Sequence, residues 1–223
     1  MRLPNNFRSD FLFNSQIEQI EESDLIFLVG VNPRTEAPVL NSRILKATNK
    51  NKTKVVSLGS SADLTYSYDH LGSNPSVLEE ILSGSHPICE RFANSKLPMM
   101  IVGRDALTRS DSNAIVQKVK EISNKFGFVN SEKGWNGFNL LHRSQGEINA
   151  MELGIQFKPA QNKPKVLFLM GCDNAINPED IPKDAFVVYI GSFGDQGAQY
   201  ADVILPAAAY TEKSGTFGIL FII

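Results

Sequence analysis

The chain has 223 residues, of which 42% are hydrophobic and 21% charged, with a formal net charge of −2. That length holds one sizeable domain or two small ones with a real core. No basic surplus or basic stripe marks a general nucleic-acid binder, and no unbroken apolar run reaches the roughly 18 residues that a helical membrane span needs.

Arg2 and Arg8 precede the first acid, Asp10, a feature of transit peptides, but Leu3-Pro4-Asn5-Asn6 makes a poor amphipathic helix. No targeting segment is assigned, and an organelle-encoded protein would need none. Residues 17–20 fit the end of an amphipathic helix. The apolar run 25–29 predicts a strand ending at Gly30. Val39, Leu40, Ile44 and Leu45 predict a helix over 38–46, and 54–58 the next strand, stopped by Gly59. Strand–helix–strand implies parallel pairing. The basic cluster from Lys46 to Lys54 reads as a solvated linker between these periodic segments.

A polar loop with Tyr66, Tyr68, Asp69 and His70 follows. Asn74-Pro75-Ser76 starts a helix to about Leu82, since proline is tolerated in a first turn. Residues 87–92 predict a short helix and 98–102 a strand ending at Gly103. Asp111 is placed to cap a helix over 112–125, with Ile115, Val119, Ile122 and Phe126 at helical spacing. Residues 132–139, rich in Gly, Asn and Trp, read as a loop, 145–153 as a short helix and 158–164 as a linker. Residues 166–170 and 186–190 predict buried strands ending at Gly171 and Gly191, with a third strand over 201–206. The apolar end, 217–223, is one short strand long and reads as a buried strand or partner-contacting tail, not an anchor. The recurring unit of apolar strand, glycine and helix predicts an α/β fold, mainly parallel sheets with flanking helices. Approximate sub-blocks are 1–65, 66–157 and 158–223.

In such sheets ligands bind beyond the carboxyl ends of the strands. Those ends are Gly30 to Arg34, Gly59 to Asp63, Gly103 to Asp105, Gly171 to Asn174 and Gly191 to Asp195. Each has some parts of a nucleotide site: a glycine for close approach, helix amides for an anion, an Asp for a ribose or guanine. None is a GxGxxG opening a helix, Gly191, Gly194 and Gly197 have the wrong spacing, and no GxxxxGK[ST] occurs. Catalysis has less support still. No GxSxG elbow is present, Glu79-Glu80 reads as a solvated helix face, and Glu212 reads as part of a hydrogen-bonded corner. From the residues alone a nucleotide pocket among these turns stays open beside the reading that glycine simply ends parallel strands, and no catalytic, cofactor-binding or metal-binding residue is assigned.

Two cysteines, Cys89 and Cys172, lie 172 − 89 = 83 positions apart, without CxxC, which favours a reducing compartment. Iron–sulfur clusters are held by cysteine thiolates, typically about four, and two cannot supply them within one chain. His70, His86 and His142 could pair with a cysteine on zinc, but only His86 and Cys89 share a ligand-type spacing and no second pair completes a site.

Several stretches resemble the large iron–sulfur subunit of respiratory complex I. LIFLVGVNPRTEAPVLNSRI (25–44) resembles the first strand–turn–helix of its molybdopterin-oxidoreductase-like domain, and SGSHPICERF with LPMMIVGRDALTRSDSNAIV, within 81–116, is similar to the same subunit. WNGFNLLHRSQGEINAMELGI (135–155) points to the seventy-five-kilodalton mitochondrial type, and YADVILPAAAYTEKSGTF (200–217) looks like the wider molybdopterin-family signature.

The resemblance implies an incomplete molybdopterin-oxidoreductase-like (formate-dehydrogenase-like) domain that has lost its molybdenum cofactor and serves as scaffold. The turns at Gly30 to Arg34 and Gly191 to Gly197 would be remnants of the former pocket. It further implies a place in the peripheral, NADH-oxidising arm of complex I, on the matrix side of the mitochondrial inner membrane. No cofactor is expected in this chain, iron–sulfur clusters and FMN being expected in partner subunits. Expected partners are other peripheral-arm subunits, including a cysteine-rich cluster-binding fragment of the same subunit, with no nucleic acid and no direct membrane span. TEKSGTF runs into GILFII (218–223) where the family continues with asparagine and glycine. That departure and the missing cysteine-rich domains suggest a separately encoded or cut piece. The alternative is part of a molybdenum or tungsten pterin oxidoreductase of the formate-dehydrogenase type.

Overall fold

Leu25–Val29 sets the architecture, because every one of its side chains is buried. A strand buried on both faces must lie centrally in a parallel sheet with helices on each side. The computed structural model describes residues 8–142, 145–155, 162–172, 176–194 and 196–215. They form two compact units, divided in the sequence after 156.

In the first unit, α1 (Gln19–Glu22) precedes β1 (Leu25–Val29). The turn α2 (Pro33–Glu36) and the helix α3 (Pro38–Asn51) lead to β2 (Lys54–Leu58) and the short β3 (Asp69–His70). Helices α4 (Val77–Ser83) and α5 (Ile88–Asn94) lead back to β4 (Pro98–Val102). The chain continues through α6 (Arg104–Leu107), α7 (Ser112–Lys125), the small antiparallel pair β5 (Val129–Asn130) and β6 (Trp135–Asn136), then β7 (Phe138–Leu140) and α8 (Gln145–Glu152). The five-stranded sheet has the order β3-β2-β1-β4-β7, all parallel. Sequence blocks 1–65 and 66–157 thus both supply strands to it.

Alternation along β1 divides the core. Leu25, Phe27 and Val29 face α4, α5 and α7, with Leu78, Ile81, Phe92, Val119 and Ile122. Ile26 and Leu28 face Ile20, Leu40 and Ile44 of α1 and α3. Phe92 anchors the first layer, its ring 5.2 Å from Phe27 and 5.4 Å from Phe128, a spacing that adds to simple burial.

Some expectations shift. The basic cluster is not a linker: α3 runs to Asn51, and Lys46 donates to Glu21 of α1. An acidic partner one helix away lets the cationic stretch stay helical. Lys52 ends α3 in the left-handed region at φ 60°. Asp111 begins α7 at the expected place but makes no side-chain cap, because Arg109 holds its carboxylate at 2.7 and 2.8 Å. Asp69-His70 and part of 132–139, read as loops, are edge strands too short to show a period.

The segment WNGFN at 135–139 works as a clasp. The Trp135 indole N–H donates to the Pro98 carbonyl at 2.8 Å. A side chain on Gly137 would meet that carbonyl at 2.3 Å. Fully buried Asn139 accepts from the Ser15 backbone N–H at 2.8 Å and donates to Ser15 Oγ at 3.0 Å. Phe13 bridges Asn139 antiparallel, so residues 11–15 cover the outer edge of the sheet.

In the second unit β8 (Val166–Met170), β9 (Phe186–Gly191) and β10 (Val203–Pro206) form a parallel sheet in the order β10-β9-β8. Its strands are less buried than expected: of β8 only Leu169 is buried, and β10 is exposed throughout. The linker expected over 158–164 and the apolar end at 217–223 fall wholly or partly outside the described residues.

Candidate functional site: the strand ends of the five-stranded sheet

From β1 the chain moves outward to β2 and β3, then returns to place β4 on the other side of β1. That reversal is where a doubly wound sheet opens a ligand crevice at its carboxyl edge. The structure brings together here the expected turns after β1, β2 and β4. Gly30 N–H donates to the Leu58 carbonyl at 2.8 Å, and Gly103 N–H to Val29 at 2.9 Å.

The protein itself fills the crevice. Gly30 lies in the left-handed region, at φ 55°, and an added Cβ would sit 2.6 Å from the Ala106 nitrogen. Its carbonyl accepts from Asp105 N–H at 3.0 Å. A Cβ on Gly103 would lie 2.3 Å from that of Val31. The glycines therefore admit neighbouring protein, not a phosphate.

The anion position is also occupied from within. Glu36 accepts from Asn32 N–H through Oε1 at 2.6 Å and from Arg104 N–H through Oε2 at 3.3 Å. Its carboxylate thus joins the turn after β1 to the turn after β4, where a phosphate would seek amides. Asn32 Oδ1 is buried there without a partner, an acceptor and so of the wrong sign for a phosphate. Arg34 pairs with Asp63 at 2.5 Å. The Thr65 backbone N–H and that guanidinium hold the Asp63 carboxyl below its usual range.

A cavity of about 110 Å³ remains on the α4–α7 side, with Val29, Leu58, Leu78 and Ile115 as apolar walls and Ser60, Ser73, Asp105 and Arg109 at its mouth. Small-molecule and cofactor pockets run to roughly 300–1,000 Å³, so a pterin dinucleotide does not fit this crevice. A wider polar cleft of about 490 Å³ lies near the opposite end of β2, beside Lys52, Lys54, Tyr66 and Tyr68. Burial raises the Tyr66 phenol far above its ordinary value.

In the second unit, glycine spacing serves packing. A Cβ on Gly191 would fall 2.0 Å from Tyr189 Oη, and one on Gly197 2.3 Å from the Cys172 carbonyl and 2.8 Å from the same ring. Gly194, at φ 68°, turns its N–H toward Tyr189 Oη at 3.3 Å. The three glycines surround a fully buried tyrosine. Asp173, Asn174 and Asp195 fall outside the described residues.

The candidate metal ligands are dispersed. His70 Nε2 lies 2.8 Å from the Gly59 carbonyl. His86 Nδ1 accepts from Ile88 N–H at 3.1 Å, at the start of α5, while Cys89 points at the Ile81 carbonyl. His142 is buried, with Nε2 2.6 Å from the Phe11 carbonyl. Among the described residues no three His, Cys, Asp or Glu gather around one point. Glu79 pairs with Lys118 of α7, and Glu212 closes a turn by accepting from Ala209 N–H at 3.0 Å. Sequence reasoning missed Glu36 as a strap. The signal was present in Asn32-Pro-Arg-Thr-Glu36, a carboxylate one turn after a helix start, as in a capping box but one position late.

The first unit is thus a doubly wound α/β unit whose switch-point glycines face the protein itself. By sequence, the chain belongs to the molybdopterin oxidoreductase family, whose model matches residues 2–220. It is similar to the mitochondrial NADH-ubiquinone oxidoreductase 78 kDa subunits of Candida albicans, 45% identical over 95% of this chain and 29% of that protein, and of Neurospora crassa, 43% identical over 94% and 28%. The NADH-ubiquinone oxidoreductase 75 kDa subunit of Reclinomonas americana is 40% identical over 95% of this chain and 31% of its own length. The chain thus spans between 28% and 31% of the length of these relatives.

Proposed function

We propose that this chain is a structural, cluster-free part of the large iron–sulfur subunit of mitochondrial complex I. It works in the peripheral arm, which passes electrons from NADH to ubiquinone coupled to proton translocation, on the matrix side of the inner membrane. FMN and the iron–sulfur clusters belong outside this segment, in other peripheral-arm subunits and in a cysteine-rich part of the same subunit. The chain contributes packing and interfaces.

The observation that supports this role is the crevice closed by Glu36 and by Gly30 against Ala106. An enzyme of this family would need that edge to receive its cofactor, whereas a scaffold gains stability by filling it. No helix among the described residues is long and apolar enough to cross a membrane.

Native electrophoresis of solubilised mitochondria from the source organism, with the chain epitope-tagged, tests the reading. The tag should migrate with NADH-dehydrogenase activity, and the purified assembly should hold iron but no stoichiometric molybdenum or tungsten. Migration apart from that activity would overturn the assignment. One molybdenum or tungsten per chain would instead favour the pterin-enzyme reading.

A further inference from the structure

Among the described residues, connecting segments pack the three-stranded sheet on one face over β8 and β9, while Ile204 of β10 on that face stays 58% exposed. Both of its connections pack on the same side: Ile176 and Ile181 from the link between β8 and β9, and Ala198 and Ala201 from the link between β9 and β10, all against Leu169, Val187 and Tyr189. Topology requires this. The strands are laid down in the single direction β8, β9, β10, and right-handed crossovers running in one direction fall on one face. Only a reversal, such as the first sheet makes at β4, brings helices to the other.

The other face is apolar. Val166, Phe168 and Met170 stand on it with exposures of 52%, 61% and 72%, beside Phe186, Val203 and Leu205. Register places them together: Val166 pairs with Phe186, and Val203 and Leu205 pair with Val188 and Ile190 of the same face. Every position of this face within the three strands is apolar, with Val188 at its centre buried. Parallel sheets are found with both faces covered, and a contiguous apolar patch of this kind marks an interface.

We infer that this face is the docking surface for apolar helices from the part of the large subunit that this chain does not span. Three observations select that occupant. The patch carries no charge to attract an acidic or basic partner. The first sheet shows the covering such a sheet takes, helices α1 and α3 on one side and α4, α5 and α7 on the other. The relatives hold most of their length outside the matched segment, the chain covering 29% of the Candida albicans subunit. The inference rests on the complex I reading and adds the surface at which this chain joins its assembly.

A photo-cross-linking phenylalanine analogue placed at position 168 or 170 of the full chain, in the source organism, tests it, with position 169 on the covered face as control. After irradiation of the isolated assembly, mass spectrometry should find positions 168 and 170 joined to peptides of a large-subunit polypeptide outside the segment matched here. Position 169 should join only to this chain. Cross-links from 168 and 170 to a second copy, to this chain's own residues, to an unrelated subunit, or none at all would overturn the inference. If the tagged chain still migrates with NADH-dehydrogenase activity in those cases, the docking surface alone is wrong. If it does not, the complex I reading fails first.

Discussion

At the scale of single residues, polar side chains work as fasteners. Asp24 shows how. Burial works to raise its carboxyl, yet hydrogen bonds from Lys96 N–H, Ser95 and Leu97 N–H outweigh that, and the group titrates below its usual value. It ties the link before β4 to the start of β1. His142 does the opposite. Its desolvation holds the imidazole below the ordinary value, against the opposing pull of the Phe11 carbonyl and of Glu147 at 3.9 Å. A histidine with a lowered folded pKa stabilises fully above its unfolded pKa, near 6.5, and that stability is lost as pH falls from there toward the folded value. The wild type should lose up to about 1.4 kcal/mol per pH unit below that point, and His142→Gln less. Urea unfolding at neutral and mildly acid pH measures the difference, and equal slopes would show that His142 is not responsible. Neither residue advertised itself in the sequence. A lone histidine before Arg143 and a lone aspartate before a strand have no spacing that reveals partners 131 and 71 positions away.

At the scale of elements, the long-range burial decides and the local chemistry trims. The exposed Lys118–Glu79 pair joins α7 to α4, but pairs of that kind add only about 0–1 kcal/mol. A fully buried Phe27 or Ile44 is worth roughly 1.5–3 kcal/mol. The end of α3 offers a cleaner lever. Lys52 holds φ 60° and its N–H donates to the Ala47 carbonyl, a position that favours glycine. Lys52→Gly should raise stability by about 0.5–1 kcal/mol, read as a higher thermal midpoint, and a lower midpoint would mean that its side chain contributes more than its backbone strain costs. The length of α3 was half legible: buried Ala47 carries the inward face past Leu45, but one small residue at helical spacing from Ile44 is a weak signal in a basic stretch. For α7 the apolar period and helix bounds agreed, while the cap at Asp111 did not form because a nearby arginine competed for the carboxylate.

At the scale of the whole molecule, the two units differ in how completely they are built. The five-stranded sheet has helices on both faces and an N-terminal segment along one edge, whereas among the described residues the three-stranded sheet is packed on one face. Backbone openings need least free energy where fewest apolar contacts must be broken. In the isolated chain, amides of β8 and β10 should therefore exchange with solvent deuterium well before those of β1 and β4. The expected gap in opening free energy is about 1–2 kcal/mol or more. Equal protection in the two sheets, read by mass spectrometry, would contradict this account of where stability resides.

By itself the sequence determined the α/β class, the positions of the principal strands and helices, and the kinship carried by the 135–155 and 200–217 segments. Those properties reside in short-range period and in strings of residues. The tertiary structure alone decided that the strand-end glycines admit protein backbone and a tyrosine ring, that Glu36 lies across the turn amides, and that Val166, Phe168 and Met170 stand exposed on one sheet face. Each depends on which distant segments meet, and a glycine that makes room for a phosphate reads the same in sequence as one that makes room for Ala106.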